Sequence, residues 1–590
     1  MILYIALIVA FFSCFLILTQ QQSLIYKSIL LQFALITIAL LQLINAYVNS
    51  DLSLQNVMLN SHPLTPVLYK ISGVWGNHEG SMLLWLWLLS LVSAIFMWLS
   101  KFPSKYTAKI LCMQSLLHFL FLTFIIFTSN PFAEIQEILP EGKGFNPLLQ
   151  DWVLAIHPPI LYAGYTGFSI AFSTALVSCF YNKQLNLYRW ILVPWAFLTL
   201  GIGLGGWWAY RELGWGGFWF WDPVENVSLV VWLIATSLLH TSKTSMNVKL
   251  PLGIITFLSS IFGIFLVRSG ILTSVHSFAF DLSRGIFLFI IFLLLFSTSS
   301  ALLFYKRKQY QFQPKSLSRK EKTVLLSVFF LLLIAGIIIA AILYPIFFKF
   351  IFHKSISIGE RFYQQSLSLI FIPVIIFAAV YSSDYNLKNI FKKAMLSIII
   401  VIALHLYRPI SSLLPLLYLF SAIMLLTSLI YKKSHLMMTM GHFSLALLVI
   451  SSALHYAWEF EDNILIAKGE TVKIKQYEIT LQEIIYDQKD NYLFRQAVFG
   501  IEKNKKMIGN IKPQIRFYPI EKTFTTESGI LHTIAGDIYM TIGEADQKDK
   551  IVAKFQLKPF TYLIWLSIII MASTPLVLLF ETNYLTWVSD

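Results

Sequence analysis

Residues 188–242 read YRWILVPWAFLTLGIGLGGWWAYRELGWGGFWFWDPVENVSLVVWLIATSLLHTS. Two apolar runs, 188–208 and 226–242, flank a dense aromatic stretch. A helix needs about 20 mostly apolar residues to cross the hydrocarbon core of a bilayer. Both runs are therefore expected to be membrane spans, and the tryptophan-rich loop 201–226 turns between them at the membrane surface.

Carried outward along the chain, the same measure gives about fifteen spans. They lie near 2–19, 28–48, 81–99, 108–128, 153–180, 188–208, 226–242, 250–267, 285–305, 323–345, 366–382, 390–406, 412–431, 435–455 and 560–580. The expected fold is an all-α polytopic membrane protein. Composition agrees: of 590 residues 57% are apolar and 13% charged, too few charges to keep a soluble domain in water. A formal net charge of +14 would suit a nucleic-acid partner. The basic residues, however, sit in short runs between apolar spans, as in the cytoplasmic loops of membrane proteins. Met1–Thr19 has no basic n-region and no small-residue cleavage site, so it reads as a retained first span.

Those basic runs set the orientation. Lys101, Lys105 and Lys109 share one loop, and Lys243 and Lys249 another. Lys306–Lys322 form the strongest run, followed by Lys388, Lys392 and Lys393, then Lys432 and Lys433. With fifteen spans all of these fall on one side, which the positive-inside rule makes cytoplasmic. The N-terminus is then outside and the C-terminus inside. Loop 129–152, with Glu134, Glu137, Glu141 and Asp151, falls outside. Loop 346–365 also falls outside although it carries Lys349, Lys354 and Arg361.

Three units follow. Residues 1–455 are a multi-span helical membrane domain, and 560–590 are a last transmembrane helix with a cytoplasmic tail. Between them, 456–559 are polar and charged, with period-two alternation in Thr471–Thr480 and Ile530–Ile542. They are expected to be a small extracytoplasmic β-rich domain, in which Pro513 and Pro519 oppose long central strands. Cys14, Cys112 and Cys179 lie in or beside apolar spans. The chain has no CxxC and no CxxCH, hence no thiol redox motif and no c-type haem attachment site of its own.

The loop 201–226 holds Trp207, Trp208, Trp215, Trp219 and Trp221, with Phe218 and Phe220 between them and Asp222 and Glu225 at its end. An interfacial aromatic belt scatters one or two tryptophans per span end, whereas this density, interleaved with Gly216 and Gly217, lets the backbone approach a flat ligand closely. Indoles supply a broad apolar surface with an N–H handle, suited to a large planar aromatic molecule. Asp222 and Glu225 either accept backbone N–H bonds at the start of the next span or touch that ligand.

The run Trp215-Gly-Gly-Phe-Trp-Phe-Trp-Asp-Pro-Val-Glu-Asn226 resembles the tryptophan-rich WWD signature of haem-handling membrane proteins. Within that superfamily, length, span count and a late extracytoplasmic domain resemble the CcmF haem-lyase family over essentially the whole chain. The resemblance implies two extracytoplasmic and two transmembrane haem-liganding histidines. Motif by motif these fall on His157 and His276, and on His240 and His442. The residues themselves allow the same pairs. His157 and His276 lie on the outer side with the Trp loop, and neutral imidazole is the usual axial ligand of haem iron. His240 and His442 lie within spans toward the inner leaflet, where an ionisable group is costly and points to function. Bland alternatives stay open: a solvated ring at a helix start for His157, and separate hydrogen bonds to neighbouring helices for His240 and His442. Arg211, Arg268 and Arg284 flank the outer region as possible partners of haem propionates, or as simple anchors. His118 is expected to bond a neighbouring helix. His62 and His78 lie in a segment that resembles a family segment of unclear role. His353, His435, His455 and His532 are expected to be interfacial or solvated, and His405 is unassigned.

The resemblance implies the following chemistry. A periplasmic haem chaperone delivers haem to the Trp loop, where His157 and His276 ligate it. A thiol-redox, apocytochrome-binding subunit presents the CxxCH of apocytochrome c, and two thioether bonds form to the haem vinyls. A buried bis-histidine haem b reduces the substrate haem b, with a quinol as plausible donor. The rival reading is a haem transporter or delivery protein without ligation chemistry. A quinone-linked proton pump would need mid-span acidic or lysine residues in a chain across the membrane, and these are nearly absent.

Overall fold

The computed structural model describes residues 1–16, 21–136, 140–241, 246–272, 274, 281–307, 318–383, 385–430, 436–543 and 550–578. Helices come first: α1 (Ile2–Phe15), α2 (Gln22–Val48), α3 (Gln55–Asn60), α4 (Val67–Gly73), α5 (His78–Leu99), α6 (Ser104–Thr128), α7 (Trp152–Tyr181), α8 (Arg189–Glu212), α9 (Pro223–His240), α10 (Met246–Arg268), α11 (Leu282–Lys306), α12 (Arg319–Phe352), α13 (Glu360–Ser382), α14 (Leu387–Tyr407), α15 (Leu413–Ile430) and α16 (Leu436–Trp458). Ten strands follow, β1 (Phe460–Ala467), β2 (Thr471–Ile474), β3 (Tyr477–Lys489), β4 (Tyr492–Lys503), β5 (Lys506–Ile511), β6 (Gln514–Tyr518), β7 (Thr523–Glu527), β8 (Gly529–Thr533), β9 (Gly536–Ile542) and β10 (Lys550–Pro559), and α17 (Thr561–Leu578) closes the chain.

Among the described residues twelve helices are long and apolar enough to cross a membrane, and three shorter apolar ones correspond to the first, thirteenth and last expected spans. The chain is a multi-pass membrane protein. Two short helices, α3 and α4, were not expected; they fold over the segment 49–77 between α2 and α5. A further difference concerns the tryptophan-rich segment. Its first half is not loop: α8 continues through Trp207 and Trp208 to Glu212. Glycines at 201, 203, 205 and 206 lower helix propensity, but they let α8 pack closely. A side chain on Gly201 would strike the backbone of Leu161, and one on Gly164 the backbone of Leu198. Small residues at such crossings are how helices approach one another in lipid, where no hydrophobic drive separates helix from tail.

Polar side chains inside the bundle are satisfied by one another. His118 Nδ1 lies 2.7 Å from Gln32 Oε1 and its Nε2 3.3 Å from Ser93 Oγ. Ser93 donates to Gln114 Oε1, whose amide reaches Ser169 O and Ser173 Oγ. This network ties α2, α5, α6 and α7 together, and His118 is a member of it, as expected.

The strands form two sheets, β1-β10-β9-β8 and β2-β3-β4-β6-β7, with β5 also paired to β4. They pack face to face over a shared core that includes Ile466, Ile479, Phe499, Met540 and Phe555, so the unit is a β-sandwich. Both stretches of alternation are hairpins: Thr471 pairs with Thr480, and Ile530 with Tyr539. Pro513 and Pro519 sit just outside the two ends of β6, where a missing N–H costs the ladder nothing.

The sandwich rests on the end of the bundle that carries the tryptophan-rich segment. Tyr210 and Thr561 both donate to Asp537 Oδ2, at 2.9 and 2.8 Å. Ser528 donates to the carbonyl of Arg211, and Asn491 to Gln150 Oε1. The backbone N–H of Phe145 donates to Glu521 Oε1 at 3.0 Å. Asp537 thus joins β9 to the C-terminal end of α8 and to the start of α17.

Candidate functional site

Helix α7 begins on Asp151, whose carboxylate accepts from the N–H groups of Val153 and Leu154. Pro158 and Pro159 then interrupt its hydrogen-bond ladder, and proline at the latter position deprives the Ala155 carbonyl of its helical donor. The indole N–H of Trp75 replaces it at 3.0 Å. That bond seats Trp75 beside His157.

His157 is not a solvated ring at a helix start. Its Nδ1 lies 2.8 Å from the carbonyl oxygen of Gly201 on α8. A carbonyl only accepts, so Nδ1 carries the proton and Nε2 holds the lone pair, the tautomer suited to a metal ligand. A side chain on Gly205 would begin 2.8 Å from His157 Cε1, so glycine is what leaves the imidazole its place.

His157 borders a cavity of about 210 Å³ that opens to solvent on one side. Its walls include Trp75, Trp85, Trp208, Trp219 and Arg268. Of the five tryptophans expected to hold the ligand, Trp208 and Trp219 line it. The other three do different work. Trp207 sets its edge on Trp152 at 5.3 Å, and the Arg211 guanidinium lies over both rings. Trp215 is exposed, in edge contact with Phe220. Trp221 stacks on Tyr363 of α13, 4.6 Å between centres and 4° between planes.

Asp222 and Glu225 form a capping box at the start of α9. Asp222 Oδ1 accepts from the N–H of Val224, and Glu225 Oε2 from those of Phe220 and Asp222 at 2.9 and 3.2 Å. The acids therefore fix the loop backbone at the positive end of the helix, and Glu225 also reaches the cavity wall. Trp221 has φ +56°, a left-handed conformation costly for a bulky residue. Asn226 holds it by donating to the Trp221 carbonyl at 2.8 Å.

The three arginines separate by partner. Arg211 is 3.3 Å from Asp151, and Arg284 is 2.7 Å from Glu79. Arg268 instead donates to two neutral hydroxyls, Ser81 Oγ at 2.7 Å and Tyr162 OH at 3.0 Å. Arg268 alone of the three lines the cavity. His276 lies outside the described residues. Ser274, two positions earlier in the sequence, donates to Asp222 Oδ1 at 2.7 Å.

At the other end of α9, His240 meets His442 of α16. Their ring centres are 6.2 Å apart with planes at 62°. Each Nδ1 contacts the carbonyl one turn back, Thr236 at 2.8 Å and Met438 at 2.9 Å, so each ring keeps its lone pair on Nε2. Two neutral imidazoles brought this close are a donor set suited to haem iron. Open space borders the pair: His240 is exposed and His442 half-buried. A side chain on Gly441 would meet nothing within 4 Å. Helix α9 packs on α8, α10 and α12, and α16 on α15 and α17. These residues fit a bis-histidine haem. No group of three or more His, Cys, Asp or Glu among the described residues is placed to hold a bare metal ion.

The remaining histidines have local partners. His62 Nδ1 accepts from the N–H of Leu64, and His78 Nε2 lies 3.0 Å from Ser129 Oγ. His405 Nδ1 accepts from the N–H of Ile410. His532 is exposed and bonded to Asp537. His455 is buried rather than interfacial: its Nδ1 donates to the Pro559 carbonyl, and its ring meets Phe218. His353, exposed, caps α12, and His435 lies outside the described residues. Trp75, Trp85 and Tyr162 are cavity residues that the sequence reading did not single out. The segment around Trp75 had stood out only as one of unclear role.

A multi-span helical bundle with a tryptophan-walled, histidine-bearing cavity and a docked β-sandwich defines a class of multi-pass membrane protein. Comparison with known proteins narrows this. Residues 75–273 match the family model described as cytochrome C assembly protein, and 457–559 the one described as CcmF C-terminal beta-sandwich. Cytochrome c-type biogenesis protein ccl1 of Rhodobacter capsulatus is 34% identical, over 92% of this chain and 89% of its own. CcmF of Escherichia coli is 32% identical, over 92% and 90%. A solved structure titled cytochrome c heme lyase CcmF shares the fold, with TM-score 0.80, 19% identity, and coverage of 98% and 97%. The chain belongs to the CcmF family of cytochrome c-type biogenesis proteins.

Proposed function

We propose that this protein is the haem-lyase subunit of a cytochrome c maturation system in the bacterial inner membrane. In this reading the β-sandwich and the tryptophan-rich segment face the periplasm. Haem from a periplasmic chaperone enters the cavity beside Trp208 and Trp219, His157 ligates its iron with His276, and Arg268 pairs with a propionate. A thiol-redox subunit presents reduced CxxCH of apocytochrome c. Each cysteine sulfur bonds the vinyl carbon next to the porphyrin ring, and the thiol hydrogen ends on the outer vinyl carbon. The chain acts mainly by holding iron and vinyls in place, the proximity term of catalysis. His240 and His442 would hold a haem b, which when bound would supply an electron to the substrate iron, and a quinol is the proposed class of donor.

The observation that carries this reading is His157, oriented by the Gly201 carbonyl at 2.8 Å and set in the wall of a tryptophan-lined cavity. Its test is a maturation assay reading covalent haem on a c-type cytochrome. His157→Ala abolishes attachment while the buried-haem spectrum persists. Attachment at the unaltered level overturns the proposal.

A further inference from the structure

Between the two histidine sites, α8 and α9 are joined by a reciprocal clamp. Trp195 Nε1 donates to Thr236 Oγ1 at 2.8 Å, and Trp232 Nε1 donates to Thr199 Oγ1 at 2.9 Å. Each threonine hydroxyl donates back to the carbonyl of the tryptophan on its own helix, at 2.8 Å from Thr199 to Trp195 and 2.7 Å from Thr236 to Trp232. The indoles stack, 5.6 Å between centres and 29° between planes.

The clamp connects to both sites. The Thr236 carbonyl accepts from His240 Nδ1 at 2.8 Å. Two residues beyond Thr199, the Gly201 carbonyl accepts from His157 Nδ1 at 2.8 Å. Along α9, Trp232 stands about 12 Å from His240 on the side of the tryptophan-rich loop. Small residues and side-chain hydrogen bonds both hold helices together in lipid, and this clamp adds a stacked aromatic pair to them. Here two indoles stack at 29° with both N–H groups bonded, at a level of α8 and α9 between two candidate iron ligands.

We propose that the Trp195–Trp232 pair is the bridge through which an electron crosses from the His240/His442 site to the His157 site. The inference rests on the two-site reading above. With a haem b held by His240 and His442, one electron would pass from its ferrous iron to the ferric iron of the substrate haem. No bond forms or breaks, no proton moves, and the indoles act as a tunnelling medium that is not itself oxidised. The quinol-class donor restores the inner ferrous state.

The test uses the full-length purified protein and two double variants, Trp195→Leu with Trp232→Leu and Trp195→Phe with Trp232→Phe. The inner site is reduced with stoichiometric dithionite, and the sample is mixed with ferric haem in a stopped-flow instrument, following loss of the ferrous inner band. The leucine pair is expected to slow transfer about tenfold or more, and the phenylalanine pair, which keeps two rings, to recover part of the rate. The inner spectrum and midpoint potential stay unchanged in both. Without haem, the near-UV circular dichroism of the stacked indoles is lost in both variants, and indole fluorescence quenching on loading the inner site falls. An unchanged rate in variants that retain the inner spectrum overturns the bridge alone. Absence of a reducible b-type spectrum in the unaltered protein overturns the two-site reading, and the bridge with it.

Discussion

His240 on α9 and His442 on α16 lie with their ring centres 6.2 Å apart, each anchored through Nδ1 to the carbonyl one turn back on its own helix. These two bond to their own helices and leave Nε2 as the acceptor on each ring.

Gly205 leaves room for His157, so Gly205→Val is expected to displace the imidazole from the cavity wall. Haem capture at the outer site, measured by titration of the purified protein, should fall to the level of His157→Ala. The buried-haem spectrum should remain. Wild-type capture in Gly205→Val would mean that the His157 position seen here is not the one that binds.

Arg268 lines the cavity with its guanidinium on two hydroxyls, whereas Arg211 and Arg284 are held by carboxylates. A charge-assisted bond to a propionate contributes about 1.5–3 kcal/mol. Arg268→Gln is therefore expected to weaken haem binding about tenfold or more, and haem lacking free propionates should bind wild type and variant alike. Arg211→Gln should instead lower thermal stability. Equal losses of haem affinity in all three arginine variants would count against this division.

Trp219 lines the cavity, and Trp221 stacks on Tyr363. Trp219→Ala is expected to lower haem affinity directly. Tyr363→Ala should act like Trp221→Ala, loosening the loop and raising its protease sensitivity. If Trp221→Ala alone removes binding while the loop stays protease-resistant, the stacking role assigned to Trp221 fails.

Asp537 accepts from Tyr210 and Thr561 and is 5% exposed. Removing its carboxylate takes the acceptor from the buried Tyr210 hydroxyl, a cost of about 1–3 kcal/mol, and leaves Thr561 only the Lys558 carbonyl at 3.4 Å. Asp537→Ala should lower the melting temperature and weaken outer haem capture, since Tyr210 roots the tryptophan-rich segment, and Asp537→Asn should be milder. Normal stability in Asp537→Ala would show that the sandwich is docked by its other contacts.

Much of this architecture is legible in the sequence. Spans of about twenty apolar residues leave little choice in lipid, where every backbone polar group must be bonded internally, and two hairpins of the sandwich follow from period-two alternation. The tryptophan-rich segment was harder. The five tryptophans of this stretch look equivalent on paper, yet only packing separates Trp208 and Trp219 from Trp207, Trp215 and Trp221. Helix α8 runs past the expected end of its span because Gly201 and Gly164 permit a close crossing with α7, a tertiary gain that local glycine propensity does not reveal. Trp75 is recognisable only once Pro159 is seen to free the Ala155 carbonyl. The arginines looked alike until Asp151 and Glu79 claimed two of them.

The central claim is a second, resident haem held by His240 and His442, apart from the substrate site at His157. The reduced-minus-oxidised spectrum of the purified protein tests it most directly. A b-type spectrum is expected in the unaltered protein and in His157→Ala, and its loss in His240→Ala and in His442→Ala. A spectrum that survives both inner-site substitutions, or disappears with His157→Ala, would contradict the account.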